Sequence, residues 1–122
     1  MAFTIDKDGN ISLIQGDSGT IVVNGLDTGK NYKVYLAIQD KHRKPVGNEL
    51  YVSSNKSDSV VFELTGDFTD LMTVPKNETC EIYYYGIKQC YDNGYEDTFI
   101  IGSNDIGYQN TITVFPKKVE GT

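Results

Sequence analysis

Apolar and polar side chains alternate with a period of two along most of this chain. In NYKVYLAIQ, Tyr32, Val34, Leu36 and Ile38 share one face, while Lys33, Tyr35, Ala37 and Gln39 share the other. In SVVFEL, Val60, Phe62 and Leu64 fall together with Glu63 outward, and NTITVF sets Ile112 and Val114 against Thr111, Thr113 and Phe115. Successive side chains of an extended backbone point to opposite faces, so this alternation predicts half-buried strands. ISLI, TIVVN, ELYVSS, EIYYYGIK and DTFIIG are shorter candidates of the same kind.

Turn chemistry separates the runs, at Asp8-Gly9-Asn10, Gly16-Asp17-Ser18-Gly19, Asp27-Thr28-Gly29, Pro45-Val46-Gly47 and Asp92-Asn93-Gly94. KQCYDNGYEDTF reads as a β-hairpin with Asn93-Gly94 in a type I′ turn, which needs positive φ at both central residues. DKHRKPVGN reads as a longer hairpin loop. The one helical segment is GDFTDLMTVP: Asp67 caps it, Phe68, Leu71 and Met72 share a face, and Pro75 stops it. A turn of helix there would carry the chain from one sheet to the other. Seven or eight short strands with regular turns predict an all-β fold, an antiparallel β-sandwich, with a small closed barrel as the alternative.

The 122 residues suit one domain, residues 1–122, large enough to hold a core without disulfides or metals. A formal net charge of −6 repels phosphate backbones and argues against nucleic-acid binding. No apolar run reaches the length of a membrane span, and MAFTIDKDG lacks the basic-then-apolar order of a secretory signal, so cytosolic synthesis is expected. Cys80 and Cys90, ten residues apart, would lie about 33 Å apart on one strand, far beyond disulfide reach, which predicts thiols.

QGDSGT contains the four letters that surround the nucleophile of trypsin-like proteases. A serine nucleophile needs a base beside it and a group to orient that base. The sole histidine, His42, follows Ser18 in the chain, the reverse of that order, and sits in the charged loop DKHRKP. A turn built on Gly16 and Gly19 is the expectation. DKDGNI resembles the middle of a calcium loop, but Thr4 and Gln15 fall where carboxylate ligands belong, so a turn is expected there too. The acidic stretches Asp67 to Asp70 and Asp92 to Asp97 read as solvated loops rather than paired catalytic carboxylates. No catalytic, metal or cofactor site is expected.

Nine tyrosines and no tryptophan leave one open question of placement. In EIYYYGIK, Ile82 and Tyr84 face one way and Tyr83, Tyr85 and Ile87 the other, so both faces are apolar. Burial within the chain is the simpler reading, and a protein- or sugar-binding face is the alternative. On grounds of exposure the candidate interface residues are Tyr35, Tyr51, Tyr83 and Tyr85.

ISLIQGDSGTIVV, YKVYLAIQDKHRKPVG, SVVFELTGDFTDLMTVPKNETCEIYYYGIK and EDTFIIGSNDI follow one another from Ile11 nearly to Val114. Together they resemble the immunoglobulin-like β-sandwich at the N-terminus of phage baseplate upper proteins, and related small virion proteins. This chain departs from that pattern in having Ser18 where threonine is common, and PKNETCE where a proline-glycine turn usually precedes the tyrosine strand. The resemblance implies an immunoglobulin-like antiparallel β-sandwich of seven or eight strands with one short helical turn. It implies a non-enzymatic virion structural protein of a baseplate, tail or capsid exterior. Such a protein would be made in the host cytoplasm, need no cofactor, and assemble with other virion proteins and copies of itself. A carbohydrate-binding or host-surface adhesion module, using tyrosine rings as sugar platforms, is the rival expectation.

Overall fold

A computed structural model describes residues 3–26, 32–54, 57–91, 94–99 and 110–117. The described elements are β1 (Phe3–Ile5), β2 (Ile11–Ile14), β3 (Gly19–Asn24), β4 (Tyr32–Gln39), β5 (Leu50–Ser53), β6 (Ser59–Leu64), α1 (Gly66–Thr69), β7 (Glu81–Tyr91), β8 (Glu96–Phe99) and β9 (Asn110–Phe115). Seven strands form one sheet in the order β1-β2-β9-β7-β4-β5, with β8 also on β7, and β3 pairs with β6 in a second sheet. The chain is an all-β sandwich, as the alternation predicts.

β7 is the spine of the large sheet. β4 runs antiparallel along one side of it, from Tyr84 opposite Gln39 to Tyr91 opposite Tyr32. On the other side β9 pairs with Glu81 to Tyr85, and β8 takes over from Ile87 to Cys90. Two features depart from expectation. There are nine described strands, because the three residues of β1 pair with β2. The sheet is also mixed: β2 lies parallel to β9, with Ile11 opposite Ile112 and Leu13 opposite Val114.

The inward faces supply the core. Val34, Leu36 and Ile38 of β4, Ile87 of β7, and Ile112 and Val114 of β9 meet Ile21 and Val23 of β3 and Val60, Phe62 and Leu64 of β6. These strands contribute alternate residues, so one period-two pattern brings their inward apolar side chains together between the layers. Cys80, just before β7, and Cys90, near its end, are unbridged, as their spacing along one strand requires.

Helix α1 crosses from β6 to β7, in the expected place but with a different cap. Thr65 is the N-cap, its Oγ1 accepting from the Phe68 N–H at 3.2 Å, and Asp67 lies inside the first turn. The expected apolar face is also divided. Met72 is fully buried, Phe68 half-buried and Leu71 exposed, because only one turn of helix forms and the chain straightens beyond it.

Three hairpin loops share one wiring. In residues 6–10, Asp6 N–H donates to the Asn10 carbonyl and Gly9 N–H to the Asp6 carbonyl; residues 40–44 and 91–95 repeat both bonds at the same offsets. The fourth residue of each has positive φ: Gly9 at 84°, Arg43 at 65° and Gly94 at 88°. The β7–β8 hairpin therefore closes on Tyr91 and Tyr95 rather than on a two-residue turn, and Asn93 lies outside the described residues. In the first two loops an aspartate adds side-chain bonds. Asp6 Oδ1 accepts from the Asp8 and Asn10 N–H groups, and Asp40 Oδ1 from those of His42 and Lys44. Asp6, a candidate calcium ligand by pattern, spends that oxygen on its own turn. The bond from Lys44 N–H leads the causes that hold the Asp40 carboxyl below its ordinary value.

Candidate interaction surface

Each strand of the large sheet turns its second set of side chains away from the core. On β4 these are Lys33, Tyr35, Ala37 and Gln39, half-buried or exposed. Register places Cys90, Lys88, Gly86 and Tyr84 of β7 opposite them in turn. Tyr51 of β5 lies opposite Tyr35, while Thr111 and Thr113 of β9 lie opposite Tyr84 and Ile82. One continuous outward face results.

Aromatic rings dominate one end of it. The Tyr35 and Tyr51 rings pack with centroids 5.6 Å apart and planes tilted by 35°, and the Lys33 ammonium stands 5.4 Å from the centre of the Tyr51 ring. Tyr51 is 58% exposed. Ala37 and Gly86 sit opposite one another next to this cluster, and a Cβ built on Gly86 would meet nothing within 4 Å. The small pair leaves a shallow trough between Tyr35 with Lys88 on one side and Tyr84 with Gln39 on the other. Lys88 is fixed there by Glu96 of β8 at 3.2 Å. Exposed Ile82 extends the apolar surface toward β9. This arrangement holds rings, one small-residue hollow and two ammonium groups for contact.

Of the four tyrosines proposed from sequence, the structure places Tyr35 and Tyr51 together on this face and the other two elsewhere. Tyr83 and Tyr85 are 5% and 6% exposed and point into the core. Tyr83 Oη donates to the Thr73 carbonyl at 2.6 Å, and Tyr85 Oη donates to the Gly9 carbonyl. Exposure therefore fails as the reason for choosing them. Loss of water around the phenols raises both above their ordinary value. Sequence reasoning sorted both residues onto one face of β7 but did not settle which face was covered. The signal lay in the neighbours, since Tyr83 pairs with Ile112 and Ile87 with Leu36, on the faces of β9 and β4 that carry their buried apolar residues. Tyr84, Lys33 and Gly86 are the outward residues that reading left out.

The GDSG stretch is a docking turn for α1. Gly16 has φ +89° and its N–H donates to Thr69 Oγ1 at 3.1 Å, while the Thr69 hydroxyl donates to the Asp17 carbonyl at 2.8 Å. Thr69 is wholly buried, and Gln15 Nε2 donates to the Asp70 carbonyl at 3.0 Å beside it. A Cβ on Gly66 would come within 2.5 Å of the Gly16 carbonyl oxygen, so the two backbones touch. Ser18 lies exposed between this turn and β3. His42 lies exposed in the 40–44 loop, its N–H bonded to Asp40. Asp70, in one of the acidic stretches, is ion-paired with Lys117 at 2.8 Å; Asp92 lies outside the described residues. No group of three or more potential metal ligands occurs among the described residues.

No family model matches the chain, and no curated protein matches it either.

Proposed function

We propose that this chain is a non-enzymatic structural subunit of a phage particle, a component of a baseplate, tail or capsid exterior that works by assembling with other particle proteins and with copies of itself. The observation that carries the reading is the outward face of the large sheet. Tyr35, Tyr51, Tyr84 and Ile82 stand there on rigid paired strands, where the core does not need them. Burying such a face against a neighbour gains roughly 25 cal/mol per Å² of apolar area, and a particle repeats the gain at every copy. The order of motifs from Ile11 to Val114 supports the same reading. Mass spectrometry of purified particles should find the chain in stoichiometric amount. Its absence from particles made while it is expressed would end the proposal.

A second reading follows from the Tyr35–Tyr51 pair itself. Two rings beside the Lys33 ammonium form the kind of platform on which the apolar face of a sugar stacks while its hydroxyls reach charged neighbours. A glycan array separates the readings: retention of a defined glycan, lost in Tyr51→Ala, favours adhesion, and no retention favours assembly.

A further inference from the structure

The two layers of the sandwich are unequal. Among the described residues seven strands stand against two, and β3 is paired on its β6 side alone. Among the described residues no backbone group supplies a partner to the other side of β3. Outer strands of soluble sheets are normally kept short, charged, bulged or interrupted by proline. β1 obeys this with three residues, and β8 with Glu96 and Asp97. β3 does not. Its six residues, GTIVVN, carry no charge and no proline, and their register against β6 runs without a bulge from Gly19 opposite Leu64 to Asn24 opposite Ser59. Its outward face adds Val22, 51% exposed, directly opposite Val61, 46% exposed.

We propose that the open side of β3 pairs with β3 of a second copy, antiparallel about a twofold axis through Val22, joining two small sheets into one of four strands. This rests on the assembly reading above and names one of its contacts. The register follows from side-chain parity. Residues directly opposite one another in antiparallel strands point to the same face, so Val22 must meet an even-numbered residue of the second copy. Centring on Val22 sets Ile21 opposite Val23 on the core side and Thr20 opposite Asn24 on the outside. A four-valine row then runs across the outer surface, from Val61 and Val22 to Val22 and Val61 of the second copy. Centring on Ile21 instead would set Val22 opposite Thr20 and Gly19 opposite Val23, breaking the apolar match on both faces. The strand's neutrality matters as well, because a chain of net charge −6 repels its own copies wherever its acidic residues meet.

Pairing of six residues buries less than the roughly 1,200–2,000 Å² of a stable complex, so two isolated copies associate weakly. Repeated attachment within a larger assembly strengthens such a contact. The test starts from the chain with Cys80→Ser and Cys90→Ser, into which Val22→Cys is introduced. Opposite residues at the axis have Cα atoms about 4.5–5.5 Å apart, within disulfide range. Mild oxidation of the purified protein should give a covalent dimer at least about tenfold faster than with Ser53→Cys, an exposed control on β5. In sedimentation, Val22→Lys should weaken dimerisation of the otherwise unmodified chain by at least about tenfold while its circular dichroism stays unchanged. Equal cross-linking at positions 22 and 53, or dimerisation indifferent to Val22→Lys, would overturn the proposal. Either result leaves the assembly reading standing on particle composition, so the two fail separately.

Discussion

Tyr85 and Tyr51 lie on the same sheet and differ in which way the pleat turns them. Tyr85 is 6% exposed, its hydroxyl tied to the Gly9 carbonyl; Tyr51 is 58% exposed, its ring packed on Tyr35 and beside the Lys33 ammonium. The buried ring anchors two elements, since the residue 6–10 loop is also bound through Asn110, whose Nδ2 donates to the Asp8 carbonyl at 2.8 Å. Among the described residues the exposed ring's contacts stay within its own strand pair. Identical side chains thus serve the fold on one face and remain available for contact on the other. Ring count alone does not mark a binding surface; parity and the neighbours' faces do.

The largest effect should come from emptying the buried position. Tyr85→Ala removes a core ring and is expected to cost about 3–5 kcal/mol in urea unfolding. The double variant Tyr35→Ala/Tyr51→Ala should cost about 1 kcal/mol, since an exposed cross-strand pair contributes little. Comparable losses would erase the distinction between the faces.

Tyr85→Phe sharpens it, because only the hydroxyl goes. A loss of about 1–3 kcal/mol is expected as the buried Gly9 carbonyl loses its donor. The same residue gives the fold an alkaline limit. Its phenol is raised above the ordinary value of 10.0 by burial, so its contribution is complete below pH 10 and disappears as pH rises through the higher folded value. Unfolding midpoints should therefore fall more steeply above pH 10 in the parent than in Tyr85→Phe.

The GDSG turn offers a second buried anchor. Gly66→Ala would press a methyl group onto the Gly16 carbonyl oxygen, backbone against backbone, and should cost about 1–3 kcal/mol in thermal or urea unfolding. The smallest effect has the opposite sign. Arg43 occupies the positive-φ position that glycine fills in the two other loops of the same wiring. Relief of that conformation is worth about 1–2 kcal/mol and the added freedom of the unfolded chain takes back about 0.4–1, so Arg43→Gly should stabilise by about 0.5 kcal/mol.

Much of the sandwich was legible because a period of two survives in almost every strand. TIVVN, NYKVYLAIQ, SVVFEL and NTITVF became β3, β4, β6 and β9 within a residue of their expected bounds. β1 was not legible, since three residues with one buried side chain carry no period. Nor was the parallel pairing of β2 with β9, which joins residues about a hundred positions apart and leaves no local mark. The helix cap moved from Asp67 to Thr65 because both residue types cap well, and only the path out of β6 chooses between them. The outward placement of the candidate interface residues was half legible. Tyr35 and Tyr51 follow from alternation on β4 and β5, but the two apolar faces of β7 look alike until β9 and β4 are laid beside it.

The central claim is that the outward tyrosine face serves assembly while the inward tyrosines serve the fold. Its most direct measurement is the incorporation of Tyr35→Ala/Tyr51→Ala into particles, read by mass spectrometry against parent subunit in the same preparation. A folded variant that is left out of particles is the expected result. A variant incorporated as fully as the parent would contradict the claim.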